Sequence, residues 1–161
     1  MKLNKIEKLK LQKSPCDYYA TIESLNPSSI TEADRFYLKN FGIYNNKQRP
    51  EEWMVRIRIP AGRIDYPGLR LIHTLAKLYE ARLLLTARAQ MELHRLSFRD
   101  ALACHKELEE GGLSTFGVLT DNFRNIVTDP LDGVAKESIF AVYPLIEKMQ
   151  AVFSKSAIIL G

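Results

Sequence analysis

Six residues constrain this chain more than any others. From Met54 to Ile59 the sequence alternates without a break, with Val55, Ile57 and Ile59 in one set and Met54, Arg56 and Arg58 in the other. Successive side chains of a strand point to opposite faces, so a period of two marks a half-buried strand. One face is aliphatic and belongs to a core. The other carries two permanent charges and does not. Pro60-Ala61-Gly62 ends the run.

Helical and extended patterns alternate after that strand. Asp65 precedes Pro67, a good helix start, and Leu69, Ile72, Leu75, Ala76 and Tyr79 recur at helical spacing, which predicts a helix over 67–80. Arg82 to Thr86 reads as a second strand and Gln90 to Leu96 as a third, with Arg88 in the connection between them. Met91 and Leu93 point inward on the third strand; Glu92 and His94 point outward. Ser97 caps a second helix through Phe98, Ala101, Leu102, His105 and Leu108, and Gly111-Gly112 stops it. Thr115 to Leu119 reads as a short fourth strand. The order β-α-β-β-α-β is that of an α+β, ferredoxin-like split βαβ sheet with both helices on one face. The opposite face then carries Arg56, Arg58, Glu92 and His94, too polar for a core and suited to a ligand.

Outside that unit the signals are weaker. Residues 1–50 read as an N-terminal arm, with Ser14-Pro15 ending any early helix, Thr31 capping a short one, and a loop-like stretch from Tyr44 to Pro50. Asp121 to Ile126 reads as a helical turn, and residues from about 140 to 154 as a helix with Val142, Leu145, Ile146, Met149 and Phe153 on its apolar face, started by Tyr143-Pro144. The expected division is an arm (1–50), a ferredoxin-like half domain (51–119) and the start of a further domain (120–161).

Composition narrows the class. No apolar run approaches the roughly 20 residues that span a bilayer, and the N-terminus has lysines without a signal-peptide core, so a cytoplasmic protein without a membrane role is expected. The net charge of +4 leaves nucleic acid, acidic cofactors and acidic partners open. Cys16 and Cys104 are far apart and in no metal-ligand spacing; two cysteines cannot hold a four-cysteine iron–sulfur cluster. Cys104 reads as a small core residue.

Arginine supplies the candidate chemistry. Its planar fork of donors matches carboxylates and small oxyanions. Arg56 and Arg58 share a strand face, Arg88 sits by a hairpin, and Arg124 comes after the last expected strand. Together they would suit a multiply anionic ligand; singly, each reads as a surface charge or an ion-pair partner of residues such as Glu92 and Asp121. His94 lies on the arginine-bearing face, while His73 and His105 read as helix packing or surface. Asp121, Asn122 and Asn125 surround Arg124, either as helix caps or as groups that orient it. No nucleophile elbow, Gly-rich phosphate loop or histidine metal pair is present. RNA binding, common on this topology, expects stacking aromatics where Arg56, Arg58, Glu92 and His94 stand.

Three phrases then carry a resemblance. MVRIRIPAG is similar to M-L-R-x-R-[IL]-P-G-G, LTARAQMELH to L-T-T-R-Q-N-[IF]-Q-[LF]-H, and GLST followed by TDNFRNIVTDP to G-L-x-T followed by G-D-N-x-R-N-[IV]-x-G-C-P. These belong to the N-terminal part of sirohaem-dependent sulfite and nitrite reductases, which residues from about 35 to 150 resemble in order and spacing. The resemblance implies a ferredoxin-like half domain and the start of a cluster-bearing domain. It implies six-electron reduction of sulfite to sulfide or of nitrite to ammonia on sirohaem coupled to a 4Fe-4S cluster, fed by a ferredoxin or a flavoprotein. Carried over by position, Arg58 and Arg124 would hold the oxyanion, and Arg56, Arg88, His94 and Asn125 the polycarboxylate sirohaem. The sequence departs at Ala61, Ala87, Ala89, Gln90, Thr120 and Thr128-Asp129. The cluster cysteines, the second half domain and the family's lysines are expected downstream of Gly161, so the remaining C-terminal half is the implied partner. By itself the chain is expected to be inactive and able to pair with a second copy. A non-catalytic relative that binds a tetrapyrrole or a protein is the alternative.

Overall fold

The computed structural model describes residues 4–46, 48–119, 125–136 and 138–155. Its centre is a four-stranded antiparallel sheet of β1 (Ile43–Asn46), β2 (Arg49–Ile57), β3 (Arg82–Leu85) and β4 (Met91–Leu96), in the order β1-β2-β4-β3. The alternation read from the sequence is the register of β2. Val55 pairs with Leu93 and Ile57 with Met91, while Arg56 pairs with Glu92 on the opposite face.

Two helices cover the aliphatic face. α4 (Tyr66–Leu78) starts where expected, with the Asp65 carboxylate accepting from the Gly68 N–H at 2.9 Å. α5 (Phe98–Glu110) starts at Ser97, whose hydroxyl accepts from the Asp100 N–H at 3.2 Å. Ile72 and Leu75 from α4 and Ala101, Cys104 and Leu108 from α5 join Val55, Ile57 and Leu93 in one core, and Phe98 stacks obliquely on Trp53 at 4.7 Å between ring centroids. Leu69 departs from the expected apolar stripe and is exposed; Gly68 takes the inward position.

Two expectations are overturned. Residues 115–119 form no strand. Phe116 and Gly117 make a turn, and Gly117 adopts φ 71°, outside the extended region. The sheet position beside β2 is filled by β1, from the stretch expected to be a loop. Ile43, Tyr44 and Asn45 pair with Val55, Met54 and Trp53. Polar side chains do not prevent an edge strand, because only its partner-facing backbone groups must be satisfied.

Residues 4–42, within the expected arm, are largely helical and pack on the core. α1 (Lys5–Gln12) ends before Ser14-Pro15 as expected, but Ser14 then caps α2 (Pro15–Tyr19). α3 (Glu32–Asn40) begins with a reciprocal capping box between Thr31 and Asp34. Tyr18, Ile22, Tyr37, Leu38 and Phe41 are buried in the same core as the sheet. The expected C-terminal helix is α6 (Tyr143–Lys155), with Ile146 buried and Leu145 and Met149 exposed. The helical turn expected at 121–126 lies almost wholly outside the described residues; Asn125 and Ile126 are not helical. Among the described residues, no helix is long and apolar enough to cross a membrane.

Candidate functional site

Arg56 and Glu92 face each other directly across β2 and β4. The Arg56 Nε donates to Glu92 Oε1 at 2.5 Å, and Nη2 reaches the same oxygen. The second oxygen, Oε2, lies 2.7 Å from His94 Nε2. Arg56, Glu92 and His94 thus form one polar chain along the sheet face away from α4 and α5. Arg56 spends its charge within that chain, with a further contact from Nη1 to the Val118 carbonyl at 3.4 Å.

Arg58, one residue beyond the end of β2, is buried at 6% exposure. Its backbone N–H donates to Ser114 O at 2.9 Å, and its Nη2 donates to Phe116 O. Burial pulls its pKa down to about 10, against the opposing attraction of Glu109. That value still leaves the guanidinium charged at neutral pH. The 115–119 segment, though not a strand, therefore supplies carbonyls to both arginines.

Arg88 stands on the turn joining β3 to β4 and is exposed; among the described residues its guanidinium has no partner. Below it, the Asn125 Nδ2 donates both to Arg88 O at 2.8 Å and to Ile59 O at 2.9 Å. The Ala61 N–H donates to Ile126 O at 2.9 Å. One asparagine thus ties together segments from all three phrases. Its own Oδ1 is buried with no hydrogen-bond partner among the described residues. The two turns meet closely: Gly62, at φ 72°, has so little room that a Cβ there would lie 2.9 Å from the Ala89 methyl. Ala61 and Ala89 themselves take positive φ, 55° and 53°, a strain rare enough outside glycine to mark a shaped surface.

Of the site residues read from the sequence, Arg56, Arg58, Arg88, His94 and Asn125 lie on this face or its rim, while Arg124, with Asp121 and Asn122, falls outside the described residues. Sequence reasoning missed Thr115 and Glu109, and placed His105 only as packing or surface. Thr115 is fully buried, its N–H donates to Glu109 Oε1 at 2.7 Å, and its hydroxyl lies 2.8 Å from His105 Nδ1. The only signal was Thr115's place in the GLST phrase.

Residues 46–111 match the family model described as the nitrite/sulfite reductase ferredoxin-like half domain. The matched stretch takes in β2, α4, β3, β4 and α5. It is 30% identical over 155 residues to the ferredoxin–nitrite reductase of Synechococcus elongatus, covering 92% of this chain and 30% of that protein. The ferredoxin–nitrite reductase of Leptolyngbya laminosa is 25% identical over 160 residues, covering 96% and 31%. The chloroplastic one of Betula pendula is 27% identical over 156 residues, covering 88% and 27%. The chain thus spans about a third or less of each relative's length. In fold it superimposes on the solved structure of the Mycobacterium tuberculosis NirA protein with a TM-score of 0.80 at 19% identity, covering 94% of this chain and 32% of that one. The half domain and its flanking helices therefore share that protein's fold.

Proposed function

We propose that this chain is the N-terminal portion of a reductase acting on nitrite or sulfite, and that it supplies one cationic wall of a sirohaem and oxyanion pocket. The observation that carries the reading is Asn125, bonded at once to Ile59 O and Arg88 O. It brings an oxyanion candidate, Arg58, and a cofactor candidate, Arg88, to one end of the sheet.

The residues present fit a flat polyacid. Small side chains at Gly62 and Ala89 leave the rim low, and Arg88 offers an unengaged fork of donors beside it. Arg88 would then hold a carboxylate of sirohaem, Asn125 would lock the two turns that shape the rim, and His94 would bond a second carboxylate. Arg58, kept from water, would stabilise the oxyanion more strongly than an exposed arginine could. Arg56 is neutralised by Glu92, so its part is to hold that acid and His94 in place. Sirohaem, coupled to a 4Fe-4S cluster, would supply electrons to the bound anion. The relatives' names favour nitrite as substrate and ferredoxin as donor. The rest of the reductase, in the same chain or another, would complete the pocket.

Titrating the chain with sirohaem and monitoring the visible spectrum tests this reading. The expected result is saturable binding that weakens about tenfold in Arg88→Glu, the scale of one lost charge-assisted contact. Absence of any spectral change with the wild-type chain would sink it.

A further inference from the structure

The 114–118 segment runs from the end of α5 to the face that carries the arginines, and it is held from both sides. On the arginine side, Arg58 engages Ser114 O through its N–H and Phe116 O through its guanidinium, and Arg56 engages Val118 O. On the helix side, a single carboxylate oxygen, Glu109 Oε1, accepts the Thr115 N–H at 2.7 Å and the Thr115 hydroxyl at 3.2 Å. The hydroxyl has one proton, and it goes to Glu109. With that proton given to the carboxylate, His105 Nδ1, at 2.8 Å, is assigned as the donor to the hydroxyl oxygen. That fixes the imidazole tautomer and leaves Nε2 bare; it is buried and has no partner among the described residues.

The segment also has little room to shift. A Cβ on Gly42 would lie 2.7 Å from both Arg56 O and Thr115 O, so the backbones of β2 and of this turn close on residue 42 together. The Gly117 N–H adds a bond to Asn40 O at 2.6 Å.

We infer that Glu109, acting through Thr115 and supported by His105, is a positioning residue for Arg58. It sits on α5, on the helical side of the sheet, and fixes the turn whose carbonyl grips the guanidinium. Its negative charge acts in the same direction, since it opposes the loss of charge that burial imposes on Arg58. The importance of this for an anion rests on the proposed role of Arg58; the positioning itself does not.

The test uses the 161-residue chain labelled at arginine, reading by NMR the exchange of the Arg58 Nε proton with water and its shift during titration with inorganic sulfite. Glu109→Ala removes both bonds of the link, and Thr115→Val removes the hydroxyl bond and the His105 contact while the residue 115 N–H still reaches Glu109. Each should speed that exchange about tenfold or more, while Thr115→Ser, which keeps the hydroxyl, should stay within about twofold of wild type. Cys104→Ala, buried on the same helix but outside the network, serves as a control for general loosening and should leave Arg58 unchanged. The inference is overturned if Thr115→Val and Glu109→Ala leave Arg58 exchange at the wild-type rate, or if Cys104→Ala moves it equally. Should sulfite leave the wild-type spectrum untouched while both variants still release Arg58, the proposed function fails and the positioning role stands.

Discussion

At the scale of single residues, the polar face is a set of commitments between charges. Arg56 and Glu92 are both largely shielded, with side-chain exposures of 20% and 10%. Removing Arg56 leaves Glu92 shielded with His94 as its remaining side-chain partner among the described residues, which costs more than the pair itself contributes. Arg56→Ala should therefore lower unfolding stability by roughly 2 kcal/mol, and adding Glu92→Gln to it should recover most of the loss; urea denaturation of the two variants measures both. His105 gives a second prediction. Burial lowers its pKa in the folded chain, so the unfolded chain binds the proton more readily. Stability from this group is complete above the unfolded value, roughly 6.5, and falls as pH drops through it. Thermal unfolding from pH 7.5 to 5 should show that decline, reduced in His105→Gln. The Arg56–Glu92 contact could be foreseen, because alternation in two strands put both residues on one face. The Glu109–Thr115–His105 link could not, because it depends on how the chain turns after α5, and no periodicity records that.

At the scale of elements, α3, α4, α5 and α6 and the strands β2, β3 and β4 were legible because their sequences carry a period or a cap, whereas α2 was hidden behind the Ser14-Pro15 stop signal that in fact caps it. α4 and α5 start at the acid and serine that cap them, and β2 keeps Val55 and Ile57 buried around a more open Arg56, although Met54 is buried as well. β1 was not legible. Tyr44, Asn45 and Asn46 look like a turn, and β1 is a strand only because β2 offers it a row of backbone partners. The reverse error, a strand at 115–119, came from apolar residues there without weighing Gly117, whose left-handed backbone breaks an extended run. Gly42 is where these two pieces meet. Gly42→Ala would combine a clash with two carbonyls and a positive φ of 71°. It should cost roughly 2–4 kcal/mol, seen as a fall in Tm with protection lost first in the β1 amides by hydrogen exchange.

At the scale of the whole molecule, the N-terminal helices belong to the core that supports the site. Tyr18 and Ile22 are 6% and 3% exposed, and the Tyr18 hydroxyl is bonded to Asp34 at 2.6 Å. Deleting residues 1–24 should cost about 4 kcal/mol, from about 2 kcal/mol for each of these two side chains. Near-UV circular dichroism and denaturant titration of the truncated chain would show it. The stretch that resembles known reductases, residues 46–111, starts at the last residue of β1 and stops short of Thr115. Excised at those borders, the half domain would bare one margin of β2 and lose the clamp on Arg58. The smallest autonomous unit is thus wider than its recognisable signature, and a fragment cut to the signature would be a sticky, unzipped ribbon prone to precipitate.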